Sequence, residues 1–363
     1  MTRAEELTEL AGHFRQSGDT FKASPLYRAL CEVVADDELT LELLLHRRPG
    51  QQPSFLLFGA VHHLLLSGVE HDLRDFYPSV VGTPARDPAA AGAVFLDFCR
   101  SYRTQVEELI ATRLVQSNVV RRVLALRFAL AALRDVVDGP VHLVEVGASA
   151  GLHLHVDRYR YRLGGRVFGS PDARVTVESE WRGDGPAPDL THLPEIGSRT
   201  GVDLHPVDVL DPDQRRWLRA LIWPEDRSAA GLLDAALEQA VAEPVRIIAG
   251  DAVDVCPDLG RQLPPGEARL VFHSATRMHV PAERRAAFDK AVDSIGDGGP
   301  LYHLWLEPAF APHHGEGAEE GCLAWHGPES TRPVSLVRVD GHLRWMAPLN
   351  GAEPPRRAAR KAA

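Results

Sequence analysis

The chain has 363 residues, 44% of them hydrophobic and 25% charged, an ordinary globular composition with length enough for two cores. Forty Lys and Arg against fifty Asp and Glu give a net charge of −10, so no overall basic field invites nucleic acid. Cys31, Cys99, Cys256 and Cys322 stand far apart without a Cys-x-x-Cys pair, which excludes a zinc ribbon or a disulfide framework and leaves reduced thiols.

Residues 1–138 read as a helical domain broken at Arg48-Pro49-Gly50 and at Gly82-Thr83-Pro84 to Asp87-Pro88. The amino terminus lacks the apolar centre of a signal peptide, and the longest apolar stretch, Phe55 to Leu66, is too short to span a bilayer. A cytoplasmic protein without membrane contact is expected. Ser54 is the expected cap of the helix through that stretch. His62 and His63 within it point about 100° apart, which suits packing better than a shared metal. Asn118 and Arg121, three apart in a polar interruption before the first strand, are expected to share a helical face and line a substrate surface.

Val141-His-Leu-Val-Glu-Val-Gly-Ala-Ser-Ala-Gly151 reads as a buried parallel strand and a small-residue turn, with helix expected over Leu152 to Tyr161. Gly147 and Gly151 are expected to let a ligand approach the backbone. A dinucleotide fingerprint needs glycines at 149 and 152, where Ser and Leu stand. A serine-hydrolase elbow, Gly-x-Ser-x-Gly, is matched by Gly147, Ser149 and Gly151, but it requires earlier strands that residues 1–140 do not suggest. The turn also resembles the S-adenosylmethionine loop of Rossmann-like methyltransferases, with Glu145 two residues before it and Ser149 replacing the middle glycine. In that fold the glycine turn follows the first strand.

Downstream order agrees with the last reading. Asp157 to Tyr161 ends the expected helix, and 162–199 reads as an insertion holding one short strand near Val175 to Trp181 and a polar surface loop. Asp203 ends a second strand where a carboxylate meets ribose hydroxyls. Residues 212–241 read as helices covering the sheet. Val245 to Ala249 is a third strand, followed by Asp251 and Ala252 as candidates for an adenine edge. Ala268 to Phe272 is a fourth, and Leu301 to Leu306 a fifth. His273 and Glu307 follow these strands, and they are the groups best placed to orient or deprotonate an acceptor. The loop with His313, His314, Glu316, Glu319, Glu320, Cys322 and His326 has irregular spacing and reads as a solvated flap, so no metal is expected. Val334 to Val339 and His342 to Met346 read as a hairpin turning at Asp340-Gly341, and 351–363 as a disordered basic tail.

Residues 139–347 thus resemble class I S-adenosylmethionine-dependent methyltransferases. Nearly the whole chain resembles the DUF2332 family, bacterial, common in actinobacteria and of unknown function. This resemblance rests on Ser24-Pro25-Leu26-Tyr27, Val115 to Asn118, Glu145 to Leu152, Asp157 to Tyr161, Asp203 to Pro206, Trp223-Pro224-Glu225 and Gly250 to Ala252. His153 and His205 depart from that pattern, in which Asn is usual.

The expected fold is α/β, a mostly parallel Rossmann-like sheet with a C-terminal antiparallel hairpin over 139–350, preceded by the helical domain. The expected function is methyl transfer from S-adenosylmethionine to a small molecule held between the two. Glu145, Gly147, Ser149, Gly151, Asp203, Asp251 and Ala252 would hold the cofactor, and Asn118, Arg121, Arg158 and Tyr159 the substrate. The alternatives are a serine hydrolase built on Ser149, with Asp251 and His273, and a non-catalytic cofactor-binding protein.

Overall fold

The computed structural model describes residues 2–83, 85–308, 320–328 and 334–349. The chain divides into two compact units, Met1–Asn118 with Leu210–Asp234, and Val119–Val209 with Ala235–Ala363. The division falls at 118/119, where sequence reading set it at 138/139. Two segments account for the change.

The first is the helix Val123–Leu133, buried at ten of its eleven positions. A helix apolar all round must be covered on all sides, so it joins the sheet unit, where the Arg127 guanidinium also donates to the carbonyls of Leu190 and Thr191. The second is 210–234, expected over the sheet. Trp217 and Leu221 instead enter the helical core with Phe14, Phe21, Phe58 and Phe95. Gly59 makes the notch that admits them, since a Cβ there would lie 3.1 Å from Leu221 and 3.3 Å from Trp217.

In this helical unit the long apolar helix is Pro53–Leu66, with proline opening its first turn. Ser54 is therefore inside the helix, not its cap, and its hydroxyl meets His13 and Ser17. His62 and His63 are both buried. The His62 ring contacts the Ala220 carbonyl and the Ser79 hydroxyl, while His63 contacts Asp213.

The second unit holds β1 (Val141–Val146), β2 (Arg160–Leu163), β3 (Arg166–Phe168), β4 (Thr176–Trp181), β5 (Ile196–Asp203), β6 (Arg246–Ala249), β7 (Ala268–Ser274), β8 (Leu301–Pro308), β9 (Glu320–His326), β10 (Val334–Asp340) and β11 (Trp345–Pro348). They form one sheet in the order β3-β2-β4-β11-β10-β9-β8-β7-β1-β5-β6. Its parallel part, β6-β5-β1-β7-β8, runs 3-2-1-4-5 in order of appearance, so the direction of winding reverses between β1 and β7. All six residues of β1 are buried, as a central parallel strand requires.

Four local expectations are corrected. After the glycine turn there is only a 3-10 turn, Leu152–His155, because all four of its residues are buried and no solvated helical face exists. The residues expected as one insertion extend the sheet instead: β4 pairs with β11 and β2, and the second parallel strand begins at Ile196. Part of the expected flap, Glu320–His326, is β9, paired antiparallel with β8 and β10. The hairpin closes later than expected, with Val339 opposite Met346 and Asp340 accepting the backbone N–H groups of Arg344 and Trp345. Residues 309–319 and the tail expected at 351–363 lie outside the described residues.

Candidate functional site

The carboxyl ends of β1, β5 and β6 bring the expected cofactor residues together. The Gly147 and Ala148 N–H groups donate to the Val202 carbonyl at 2.7 and 3.2 Å, and the turn closes with Gly151 N–H on the Ala148 carbonyl. Ser149 sits in the left-handed region at φ 50°, which costs a residue with a Cβ about 1–2 kcal/mol. Its N–H donates to Asp203 Oδ2 at 2.7 Å, and the other oxygen of that carboxylate accepts the His205 N–H at 2.8 Å. A charge-assisted bond to a buried carboxylate is strong enough to offset the strain of the turn. Asp203 therefore stitches the glycine turn to its own loop.

The two expected ligand-facing glycines have internal neighbours. A Cβ on Gly147 would lie 2.2 Å from the Thr276 hydroxyl, and one on Gly151 would lie 2.7 Å from Val245. The close approaches they permit are by the loop after β7 and by the residue before β6. Asp251 caps the helix Ala252–Gln262 through the Val253 N–H and pairs with Arg284 at 2.9 Å. It is one strand away from Asp203, whose carbonyl accepts the Gly250 N–H.

Glu145 is 2% exposed, and its Oε1 meets His153 Nδ1 at 2.6 Å. The other ring nitrogen of His153 faces the Val119 carbonyl at 3.1 Å, so both nitrogens face acceptors. Glu145 Oε2 and the Ser274 hydroxyl are buried without a hydrogen-bond partner. His153 was visible in the sequence as a departure from the family pattern, yet nothing in its spacing tied it to Glu145.

His273 and Glu307 are also brought together, with Nδ1 and Oε1 2.7 Å apart. Glu307 is nearly enclosed, its side chain being 8% exposed. It accepts the successive N–H groups of Thr276, Arg277 and Met278. Burial by itself would raise its pKa, but the hydrogen bond and charge of His273 and those backbone donors outweigh burial and lower it. His273 packs among Phe288, His303 and Trp305. Burial holds the His303 pKa well below the ordinary range, with the neighbouring His273 and His326 adding to the effect. Arg122 was missed: burial lowers its pKa to about 10 against the opposing influence of Glu307 and Asp340, and it donates to the Gly341 carbonyl.

The expected substrate residues lie in different local settings. Asn118 lies in a segment without helix, and Arg121 in a separate 3-10 turn, Val120–Arg122, beside a surface cavity of about 450 Å³. Arg158 is half exposed and pairs with Glu243. Tyr159 is fully buried and donates its hydroxyl to the Leu152 carbonyl.

A family model described as an uncharacterized protein conserved in bacteria, DUF2332, matches residues 11–347. The chain belongs to the DUF2332 family. Comparison with curated proteins gives no match. In this DUF2332 chain the motifs far apart in sequence meet in space: Glu225 of Trp223-Pro224-Glu225 accepts the Ser24 hydroxyl and the Leu26 N–H, clamping the start of the helix Pro25–Ala35. Asp157 of the Asp157 to Tyr161 motif takes Arg199 through both oxygens.

Proposed function

We propose that the second unit is a Rossmann-like methyltransferase that binds S-adenosylmethionine at the carboxyl ends of β1, β5 and β6 and methylates a small molecule. The observation that supports this reading most is Asp203. It ends the second parallel strand, and its carboxylate is bonded to the turn that ends the first, beside the point where the winding reverses. A carboxylate at the end of the second parallel strand is the acceptor that ribose hydroxyls need. Asp251, at the end of the third strand, is the neighbour suited to the adenine edge. Transfer from a sulfonium is an in-line displacement, for which the protein's task is to align the acceptor and exclude water. His273 is the candidate proton acceptor, its imidazole oriented by Glu307.

Titration calorimetry with S-adenosylmethionine and S-adenosylhomocysteine, with NAD as control, tests the reading. Saturable micromolar binding is expected, weakened at least about tenfold in a folded Asp203→Asn variant, the scale of one charge-assisted hydrogen bond. Folded wild-type protein that binds neither ligand would sink the proposal.

One observation favours a second reading. Ser149 combines a positive φ with a strand-to-turn position, as a nucleophile elbow does. His273 is held by Glu307, while Asp251 caps a helix, so the acid behind the base would be Glu307. A fluorophosphonate adduct mapped to Ser149 would favour this chemistry over methyl transfer.

A further inference from the structure

At the opposite, amino-terminal end of the parallel sheet, three polar side chains form a relay outside the site described above. Ser198 Oγ is 2.7 Å from His142 Nδ1, and His142 Nε2 is 2.5 Å from Glu267 Oε2. A carboxylate only accepts, so in the neutral imidazole Nε2 carries the proton and Nδ1 presents its lone pair to the serine hydroxyl. That is the hydroxyl, base and orienting acid required to activate a nucleophile. The His142 ring is 4% exposed, while the Glu267 side chain is 37% exposed and Ser198 is half-buried, so the relay reaches solvent at both of its outer members.

Local backbone geometry creates this contact. The β1–β5 register runs Val141 opposite Ile196 and then His142 opposite Ser198, so Gly197 is an extra residue. A bulge of this kind re-aims the side chain beside it. A Cβ on Gly197 would lie 2.9 Å from His142 Cε1, so glycine is needed for the ring to sit against the strand. β6 pairs with β5 only from Thr200 onward, leaving the edge of Ile196–Arg199 outside that ladder. A cross-strand tie needs any acceptor for the imidazole N–H. A carboxylate there additionally stabilises the imidazolium that forms when the ring takes a proton.

We propose that Ser198 is an activated nucleophile that takes the acyl group of a small carboxylic ester approaching from solvent. The Ser198 oxygen bonds to the ester carbonyl carbon as its proton passes to His142 Nδ1. The carbon–alkoxy bond then breaks, and the departing alkoxide takes that proton as an alcohol. Water, deprotonated at the same nitrogen, cleaves the acyl-serine to a carboxylic acid and restores the hydroxyl.

The test treats the full-length protein with a fluorophosphonate probe and maps the adduct by mass spectrometry, with melting temperature as the folding control. The expected result is an adduct on Ser198, absent in Ser198→Ala and formed at least about tenfold more slowly in Glu267→Gln, the lower end of what an oriented base contributes. In Ser198→Cys, alkylation by iodoacetamide at position 198 should reach its plateau below the pH range of an ordinary thiol, because the imidazolium stabilises the thiolate. A folded protein without adduct at Ser198, a labelling rate unchanged by Glu267→Gln, or a thiol in Ser198→Cys that titrates in the ordinary range would each overturn the proposal. An adduct confined to Ser149 would also overturn it, and would favour the serine chemistry of the glycine turn.

Discussion

At the scale of single residues, Gly147 and Thr276 form the most demanding contact at the candidate site. Gly147 has φ +79°, and the Thr276 hydroxyl occupies the place of its missing Cβ while bonding the Val146 carbonyl. Gly147→Ala adds backbone strain of about 1–2 kcal/mol and overpacking of about 1–3 kcal/mol. Urea unfolding should register a loss of roughly 2–5 kcal/mol, and Thr276→Ala in the same chain should recover part of the packing share but none of the strain share, because the Cβ at position 276 stays 2.9 Å from the new methyl. Additive losses in the double variant would contradict the contact. The sequence identified this glycine as special without revealing its neighbour, because the loop after β7 is about 130 residues downstream and no local pattern links the two.

At the scale of elements, the helix Pro53–Leu66 carries a pH dependence. Burial lowers the His62 pKa from 6.5 to about 3, an effect larger than the opposing hydrogen bond to the Ala220 carbonyl. The unfolded chain therefore binds a proton that the folded chain refuses between about pH 6.5 and pH 3, so stability rises with pH across that window. Acidification from about pH 7 to about pH 5 should remove about 2 kcal/mol through His62. Urea midpoints at the two pH values would check this, and His62→Gln should flatten the difference. Glu307 has the same slope for the opposite chemical reason. Its lowered carboxyl pKa gives stability that is present above the unfolded-state value and lost as pH falls through the folded one. The element-level errors share a cause. Burial of all four residues of 152–155 left no solvated face for a helix there, residues 160–163 went into β2, and pairing with β8 and β10 made a strand of 320–326, so tertiary surroundings set each outcome.

At the scale of the molecule, the division into two units predicts where damage will be felt. Trp217 is buried in the helical core and donates its indole N–H to the Leu114 carbonyl. Trp217→Ala should cost about 3–5 kcal/mol. Hydrogen exchange should accelerate within Pro53–Leu66 while β1 and β7 keep their protection, and equal acceleration in both would argue against separable units. No helix among the described residues is long and apolar enough to cross a membrane.

The sequence by itself determined the α/β class, the five parallel strand cores, the helical amino-terminal region and the family, because these are carried by unbroken apolar runs and by motifs contiguous in the chain. It also singled out Glu145, Asp203, His273 and Glu307, acids and histidines at strand ends. Only the tertiary structure decided that Asp203 is bonded to the glycine turn, that Glu307 holds His273 and three backbone N–H groups, and that Arg158 pairs with Glu243. Those outcomes depend on strand register and on which buried polar atom finds which partner. Such pairings join residues tens to hundreds of positions apart, and hydropathy pattern encodes the burial of each without encoding its partner.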